Sequence, residues 1–408
     1  MRRANPCGSQ LPYRSQKYRH MGLKKKKEII RIGGMHQVRP RQPCRRSYAL
    51  FHIAEVEFVR TVIATVGTSL ISNAKRDLGL EVPEQTDMLS YLNRVPAEKA
   101  CAETNSLSRL LREHDRILLM CSETEEGYNC AQVLRKYYAG KGYDARVQEV
   151  KDLTYAEKRF KMRGLRSLVA TLIDAICSER MAGREVVVNA TGGFKAEIAY
   201  ATLVGLLFDV RVYYIHDAFR EIIEMPPAPI SWDYSLLAEY DDFFEWLESE
   251  LRTTEEVDRK LRYLPAEIRL LLAEEDGYTF LSPAGEAFYE SYRDKLQRTP
   301  PAKVLLSHQA FETYNKADSA MQHEFKREIG KVCRLDLRAA AVDKLEGADC
   351  LVFPRGHKDV RVIFCQKRDG TIRVCEIARH SDKSYERIRQ RGMNCQDDTA
   401  FRPWRENT

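Results

Sequence analysis

The sequence has 408 residues and eleven cysteines, but it contains no Cys-x-x-Cys pair. Cysteine and histidine do not cluster at the spacing of zinc ligands, so no zinc site is expected. An odd number of cysteines without regular spacing is typical of reduced thiols and therefore of a cytoplasmic protein. Clustered acidic ligands are also missing, which argues against a metal-dependent nuclease.

Long apolar runs are absent too. No segment approaches the roughly 18 consecutive apolar residues of a membrane span, so we expect no membrane contact. Residues 1–58 lack the apolar core of a secretory signal and are basic without periodicity, as in Lys24–Lys27. They predict an extension that is disordered or precedes the true start. A nucleic-acid-binding arm is the alternative.

The net charge of +7 is unevenly distributed. Residues 1–60 carry 15 Lys and Arg against 3 Asp and Glu, and residues 301–408 carry 21 against 16. The middle of the chain is therefore acidic. This distribution predicts that a surface for polyanions lies near the two ends of the chain.

A glycine turn follows a predicted strand at Asn189–Lys195. The apolar run 185–188 precedes it, and a predicted helix, 196–208, follows. A buried strand that breaks at Gly192 and Gly193 and restarts as a helix is typical of a phosphate-binding turn. Thr191 adds a hydroxyl, and Lys195 adds a cation at the first helical turn, where backbone N–H groups lack partners. An ordinary strand–helix turn is the alternative.

A second turn of this kind lies upstream, at Gly67, Thr68 and Ser69, after the predicted strand 61–65. Two such turns in one sheet predict a ligand at the carboxyl ends of the strands. Neither turn has the pattern of a P-loop or of Gly-x-Gly-x-x-Gly, which disfavours a nucleotide triphosphatase or a dehydrogenase. We expect a phosphodiester or oligonucleotide ligand.

The periodicity predicts an α/β protein with three folded regions. Residues 59–232 alternate strands and helices, which indicates a Rossmann-like parallel sheet. Residues 233–300 form a helical, winged-helix-like connector, with helices at 236–251 and 264–273 and a short strand at 278–281. Its acidic balance disfavours DNA binding. Residues 301–408 begin with helices at 310–327 and 328–338.

The remainder of 301–408 predicts a small α+β domain with an antiparallel sheet. Its strands are expected at 351–353, 360–366 and 372–378, with a hairpin turn at Asp369-Gly370. The polar residues of this sheet are mostly basic, which suits RNA phosphate chemistry without a metal ion. A solvated basic face is the alternative. The candidate catalytic residues are Arg355, His357, Lys358, Arg361, Arg379, His380 and Tyr385.

Two resemblances give these regions a function. On Thr65–Leu70 and Asn189–Lys195, residues 59–232 resemble a CARF domain, the CRISPR-associated Rossmann fold that senses cyclic oligoadenylates. On Lys344–Gly347, Asp359–Phe364 and Glu376–Tyr385, the tail resembles the RelE family of ribosome-dependent mRNA interferases. The order of these pieces resembles the CARF–RelE architecture of type III CRISPR systems.

The RelE resemblance implies roles by position. Arg361 matches the arginine that steadies the scissile phosphate, Arg379 the arginine that protonates the leaving oxygen, and Tyr385 the tyrosine that orients the nucleotide. The family often has basic residues on the strand where this chain has Val352 and Pro354. The alternatives for the missing base are Arg355, His357 and Lys358.

The resemblances together imply an antiviral ribonuclease without a cofactor, activated allosterically by a cyclic oligoadenylate. Cyclic tetra-adenylate is expected to bind across a homodimer, after which the tail cleaves mRNA on the ribosome and stops translation. The ligand-binding residues are expected to be Gly67, Thr68, Ser69, Thr191, Gly192, Gly193 and Lys195. Slow cleavage of the ring by the same domain is a further expectation. The alternatives are a winged-helix transcription regulator and a stand-alone ring nuclease.

Overall fold

The structure is a computed structural model. It describes residues 59–154, 156, 160–216, 221–228, 230–334, 342–345, 348–355, 358–393 and 401–404. All of these residues belong to one structural unit, Glu57–Thr408. The basic extension that the sequence predicts at 1–58 lies outside the described residues, and so does His357.

The first sheet has six strands in the order β3-β2-β1-β4-β5-β6. Strands β1 to β5 pair in parallel, and β6 pairs antiparallel with β5 at the edge. The chain order reverses between β1 and β4, as in a doubly wound sheet. The parallel α/β fold is confirmed. The strands are β1 (Arg60–Val66), β2 (Arg116–Ser122), β3 (Asp144–Val150), β4 (Glu185–Asn189), β5 (Arg211–Tyr214) and β6 (Ile223–Met225).

Helices cover both faces of this sheet. All seven residues of β1 are buried. Val62 packs with the helices of one face and Ile63 with those of the other, because successive side chains of a strand alternate. No helix in the described ranges is long and apolar enough to cross a bilayer. The helices are α1 (Ser69–Leu78), α2 (Gln85–Arg94), α3 (Ala97–Ala100), α4 (Ala102–Leu110), α5 (Glu125–Gly140), α6 (Leu165–Met181), which a π-helix (Phe160–Gly164) precedes, and α7 (Lys195–Leu207).

The second sheet has three antiparallel strands in the order β7-β9-β8. Helices α9 and α10, a 3-10 helix and α11 surround it, in a winged-helix-like order along the chain. The elements are α8 (Ser235–Glu239), α9 (Asp241–Ser249), β7 (Arg252–Thr253), α10 (Thr254–Leu261), the 3-10 helix (Ala266–Leu271), β8 (Leu272–Glu275), β9 (Tyr278–Leu281) and α11 (Pro283–Arg298).

Two helix predictions in this region are wrong. The predicted helix 264–273 is a 3-10 helix followed by β8, because β8 pairs with β9 around a turn in which Asp276 and Gly277 have φ of 51° and 82°. Positive φ at both positions is what a two-residue hairpin requires. The predicted helix 236–251 is broken at Tyr240, whose φ of −115° and ψ of 29° are not helical.

The third sheet has the order β11-β12-β13-β14-β10-β15. Strands β11 to β14 pair antiparallel, and β10 pairs in parallel with β14. The strands are β10 (Val304–Leu306), β11 (Asp343–Lys344), β12 (Leu351–Phe353), β13 (Val360–Gln366), β14 (Ile372–Arg379) and β15 (Arg402–Pro403). The helices are α12 (His308–Lys316), α13 (Ser319–Val332) and α14 (Ser384–Arg391).

The predicted break between the first two helices of this region is also wrong. It was expected between 327 and 328, but α12 ends at Lys316 and α13 begins at Ser319. The reason is an N-cap, since the Asp318 carboxylate accepts a hydrogen bond from Met321 N at 2.8 Å. Residues 335–338 of the predicted second helix lie outside the described part of the chain.

Helix α11 joins the winged-helix-like region to the first sheet, because it packs against α6 and α7. The Ser291 hydroxyl donates to Leu207 O at 3.1 Å and lies 2.6 Å from the Tyr234 hydroxyl. Arg166 on α6 forms ion pairs with Glu248 at 2.6 Å and with Glu286 at 2.9 Å. Helices α6, α9 and α11 are therefore tied together by charge as well as by packing.

The expectation that every cysteine is reduced needs a correction. Among the described cysteines Cys101, Cys121 and Cys130 are free and buried, and four others are free. Cys375, on β14, is disulfide-bonded. Burial raises the pKa of the Cys121 and Cys130 thiols to about 12, which keeps them protonated and unreactive at neutral pH.

We expect Asp115→Ala to destabilise the first sheet. Arg60 at the start of β1 donates to both Asp115 oxygens, at 3.0 and 2.5 Å, and both side chains are buried. Removing one partner of a buried pair leaves the other charge uncompensated, which typically costs about 3–5 kcal/mol. Urea denaturation measures the change. The control, Arg146→Ala, removes an exposed partner of Asp144 and should cost less than about 1 kcal/mol. Equal losses of unfolding free energy in the two variants would contradict the assignment of Arg60 and Asp115 as a stabilising buried pair.

Candidate functional site

The two glycine turns touch each other. Gly67 follows β1 and Gly192-Gly193 follow β4, the neighbouring parallel strand. A Cβ atom added to Gly67 would lie 2.7 Å from Gly193 N, and one added to Gly192 would lie 2.5 Å from Thr65 O. No side chain fits at either position, so the contact between the turns requires glycine.

The turns form one wall of a cavity of about 380 Å³ at the carboxyl ends of the strands. All seven residues that the sequence predicts to bind the ligand line it: Gly67, Thr68, Ser69, Thr191, Gly192, Gly193 and Lys195. Lys195 is the first residue of α7 and is exposed. The sequence did not predict the other lining residues: Ala102, Glu103, Phe194, Ile198, Tyr214, Ile215 and His216.

The Thr191 hydroxyl is part of an internal network. It donates to Asn189 Oδ1 at 2.7 Å and accepts from Ile215 N at 3.3 Å. Asn189 Nδ2 in turn donates to Ser106 Oγ at 2.7 Å. These bonds hold the turn between β4 and α7, so the structure gives Thr191 a positioning role in addition to its place on the cavity wall.

Glu103 is a buried carboxylate that sequence reasoning missed. Its Oε1 accepts from Gly67 N at 2.8 Å and its Oε2 from Ser69 Oγ at 3.3 Å. Ser69 Oγ accepts from Ala102 N at 3.1 Å. Glu103 therefore occupies the backbone donor of the first glycine turn. Its place on α4, between two strands of the sheet, carried no local signal.

Glu197 is the second missed carboxylate. It lies in the first turn of α7, and its carboxylate would be 2.3 Å from a Cβ on Gly193. Burial raises the pKa of Glu197 to about 7, although a hydrogen bond from the Phe194 backbone acts in the opposite direction. Glu197 Oε1 has no hydrogen-bond partner among the described residues. An acidic residue in the first turn of a predicted helix was the available signal.

In the C-terminal sheet the structure brings Arg361, Tyr385 and His380 together. Arg361, on β13, lies with Cζ 5.8 Å from the Tyr385 ring centroid. The ring centroids of Tyr385 and His380 are 4.7 Å apart, and His380 Nδ1 is 2.6 Å from Glu386 Oε1. Arg361 is 3% exposed, and burial lowers its pKa. This cluster lies between β13 and α14.

Arg379 is held differently. Its Nε donates to Asp359 Oδ2 at 2.8 Å, and Asp359 also accepts from Ser381 N at 2.7 Å. In the antiparallel register Arg379 lies opposite Val360, whereas Arg361 lies opposite Ala378. Because side chains alternate along a strand, the register assigns the two arginines to opposite faces of the ladder. A phosphate that contacts both arginines must therefore lie at the end of the β13–β14 ladder, where Arg379 is the last residue of β14.

The structure does not gather Arg355 and Lys358, the two described candidates for the missing base. Arg355 is exposed and lies 3.5 Å from Asp343 Oδ1. Lys358 donates to the carbonyl oxygen of Glu239 and lies over the Tyr240 ring, 5.6 Å from its centroid. Burial lowers the pKa of the Lys358 amine. Of the two described candidates, Lys358 is the one whose surroundings favour a neutral amine.

No group of three or more His, Cys, Asp or Glu side chains in the described ranges could hold a metal ion. The acidic residues found at the two sites act instead as hydrogen-bond acceptors. Glu103 and Asp359 accept from backbone N–H groups, and Glu386 bonds the His380 ring.

Residues 98–228 match the family model of a CRISPR-associated protein, Cas_APE2256. The matched segment contains Glu103, Glu197 and the turn 189–195, and it begins after the Gly67 turn. Protein VC1899 from Vibrio cholerae is similar at 9% identity over 60% of this chain and 70% of that chain, with a TM-score of 0.23. Can2 from Sulfobacillus thermosulfidooxidans, in complex with cyclic tetra-adenylate, is similar at 13% identity over the same shares, with a TM-score of 0.22. Scores this low bear on neither fold nor function.

We expect Glu197→Gln to stabilise the protein increasingly as the pH rises. The folded protein holds the Glu197 proton up to about pH 7, whereas an unfolded chain releases it near pH 4.5. The stability that this proton contributes is fully present below about pH 4.5 and is lost as the pH rises to about 7. The amide loses no proton, so its advantage above about pH 7 should be on the order of 3 kcal/mol.

Urea denaturation of both proteins between about pH 5 and pH 8 measures this difference. Glu185→Gln, which changes an exposed carboxylate on β4, controls for the amide substitution itself. An advantage of Glu197→Gln that does not change with pH would show that Glu197 does not titrate in this range.

Proposed function

We propose that this protein is a CRISPR-associated ribonuclease controlled by a cyclic oligoadenylate. The observation that carries the proposal is the contact between two glycine turns at the carboxyl ends of β1 and β4. The second of these turns lies within residues 98–228, which are similar to a CRISPR-associated family. Backbone N–H groups and a lysine at a helix start suit the phosphates of an oligonucleotide.

The activator we propose is cyclic tetra-adenylate. Lys195 and the N-terminus of α7 would contact phosphate, while Phe194 and Tyr214 at the cavity offer aromatic faces for adenine. A two-fold symmetric ring would be shared by two copies of the chain, since a symmetric ligand suits a two-fold interface. The active protein would then be a homodimer with the two cavities facing each other.

The tail would cleave mRNA without a metal ion. The 2′-hydroxyl of one nucleotide attacks the adjacent phosphorus and gives its proton to a general base, and Lys358 is the favoured base. A new O2′–P bond forms, and the P–O5′ bond breaks as the leaving oxygen takes a proton from Arg379, in the role that the RelE resemblance implies. Arg361 and Arg379 would stabilise the phosphate, because the guanidinium fork donates two parallel hydrogen bonds. Tyr385 would orient the nucleotide.

The ribosome would supply part of the catalysis. Lys358, the favoured base, is engaged with the carbonyl oxygen of Glu239, and His380 bonds Glu386 through Nδ1. Holding mRNA in the geometry of attack replaces part of what a stronger base would contribute. Free RNA is therefore expected to be a poor substrate, and translating ribosomes the effective one.

Two other functions have a supporting observation. The winged-helix-like element order favours a transcription regulator, although the element in the place of a recognition helix is a 3-10 helix with Glu267 on it. Ser69, hydrogen-bonded to Glu103 at the cavity, favours slow cleavage of the ring by the N-terminal site. Ligand-dependent DNA binding without mRNA cleavage, or ring cleavage alone, would replace the proposed function.

Lys195→Ala should weaken the binding of cyclic tetra-adenylate. One charge-assisted hydrogen bond is worth about 1.5–3 kcal/mol, so the affinity should fall on the order of tenfold or more. Isothermal titration calorimetry of the purified protein measures the change. Lys75→Ala removes an exposed lysine of α1 that does not line the cavity and should bind like the wild type. Unchanged affinity of Lys195→Ala would remove Lys195 from the site.

Arg379→Lys should cut mRNA on translating ribosomes about 100- to 1000-fold more slowly than the wild type with cyclic tetra-adenylate present. Lysine keeps the charge but loses the fork, and one preorganised donor contributes a factor of this size. Arg368→Lys, in the exposed β13–β14 turn, is the matched control. Thermal melting shows whether the variant is destabilised by losing the Arg379–Asp359 ion pair, which separates that effect from a loss of catalysis. Wild-type rates in a folded variant, or no cutting by the wild type, would contradict the proposal.

A further inference from the structure

The turn between α8 and α9 is acidic and lies on the C-terminal region. We call residues Glu239–Asp242 the acidic turn. Three cations lie opposite it: Arg327 and Lys331 on α13, and Lys358 just before β13. We call these three residues the cationic surface. These three cations come from two distant parts of the chain, and sequence analysis had singled out Lys358 alone.

The contact consists of several short ion pairs. Lys331 Nζ is 2.6 Å from Asp241 Oδ1 and 3.2 Å from Asp242 Oδ1. Arg327 Nη1 is 3.2 Å from Asp242 Oδ2. Lys358 Nζ donates to the carbonyl oxygen of Glu239, and its ammonium lies over the Tyr240 ring. Each member of the cationic surface therefore bonds the acidic turn.

The contact is dehydrated around Lys331. Lys331 is 5% exposed. Burial acts to lower the pKa of Lys331, yet Glu328, Asp241 and Asp242 outweigh it and raise the pKa to about 12. Burial likewise acts to raise the pKa of Asp242, but the hydrogen bond with Asp241 and the charge of Lys331 hold it below its usual range. Lys331 and Asp242 are thus charged at neutral pH, in a place where ion pairs are poorly screened.

The cationic surface has the chemistry of an RNA-binding site. Carboxylates and phosphates present the same acceptor oxygens to lysine and arginine. The surface adjoins Arg361 along the chain, because Lys358 precedes Arg361 by three residues, just before β13. While the acidic turn is in place, Lys331 and Lys358 are engaged with it and are not available to an RNA chain.

We propose that the acidic turn and the phosphates of single-stranded RNA compete for the cationic surface, so that the turn inhibits the tail until it is displaced. The inference rests on the proposed function and adds Arg327 and Lys331 to the substrate-binding residues. The same helix that carries the acidic turn, α9, is tied to the first sheet through Glu248 and Arg166. A shift of α6 on ligand binding would therefore move the turn.

The decisive variant is Asp241→Asn with Asp242→Asn in the full-length protein. Without an activator it should bind a short fluorescein-labelled single-stranded RNA about tenfold more tightly than the wild type, as fluorescence anisotropy measures. Glu250→Gln with Glu255→Gln changes the net charge equally at exposed positions of the same region. This control should bind like the wild type. Equal gains in both double variants would reduce the effect to net charge and overturn the proposal.

A second variant keeps the test decisive if the double variant is unstable. Asp242 is half-exposed, so Asp242→Asn alone should stay folded and still bind RNA several-fold more tightly. Adding Lys331→Met should remove this gain in RNA affinity, because the RNA then loses its contact with the Lys331 ammonium. No gain in the single variant, or a gain that survives Lys331→Met, would overturn the competition.

mRNA cleavage separates this inference from the proposed function. On translating ribosomes without cyclic tetra-adenylate, Asp242→Asn should cut mRNA while the wild type does not. If the wild type cuts with the activator but Asp242→Asn needs it equally, the inhibition by the acidic turn is wrong and the proposed function stands. If neither protein cuts under any condition, the ribonuclease is wrong, and the RNA-binding comparison still decides whether the turn competes.

Discussion

The close approach of two backbone turns governs the first region. Gly67 and Gly193 touch because β1 and β4 are parallel neighbours that end at the same edge of the sheet. The contact fixes where α1 and α7 begin, and it brings Ser69 and Lys195 to one cavity. Buried Asn189 and Thr191 then lock the second turn. Every other group of the candidate ligand site is positioned relative to this pair of turns.

Local sequence patterns predicted β1, β4 and the glycine turns that follow them, because each apolar run and its glycines are contiguous. They could not predict Glu103, whose role arises only when α4 meets a turn 36 residues away. They also missed β8, since 264–273 has an apolar spacing that suits a helix, and only the pairing with β9 selects a strand. Partners outside the segment itself, which local propensity does not include, decided both cases.

The candidate catalytic residues show the same limit. The sequence named Arg361, Arg379 and Tyr385 together, but the β13–β14 register places the two arginines on opposite faces. Likewise, Lys358 was read as part of a basic turn, yet its partners are Glu239 and Tyr240, more than a hundred residues earlier. A list of basic residues carries no information about which of them an acidic segment already occupies. The acidic turn that occupies Lys358 exists because the helix breaks at Tyr240, and the predicted continuous helix 236–251 did not include this break.

The two buried carboxylates have a consequence for the size of anion that the cavity can hold. Glu103 occupies the Gly67 N–H, and Glu197 lies against Gly193. A small anion at these turns finds the Gly67 donor already bonded and makes few contacts that could offset the two carboxyl groups. A larger ligand can also contact Lys195 and the rings of Phe194 and Tyr214, so several contacts act at once. The cavity is therefore better suited to a large ligand than to a small anion.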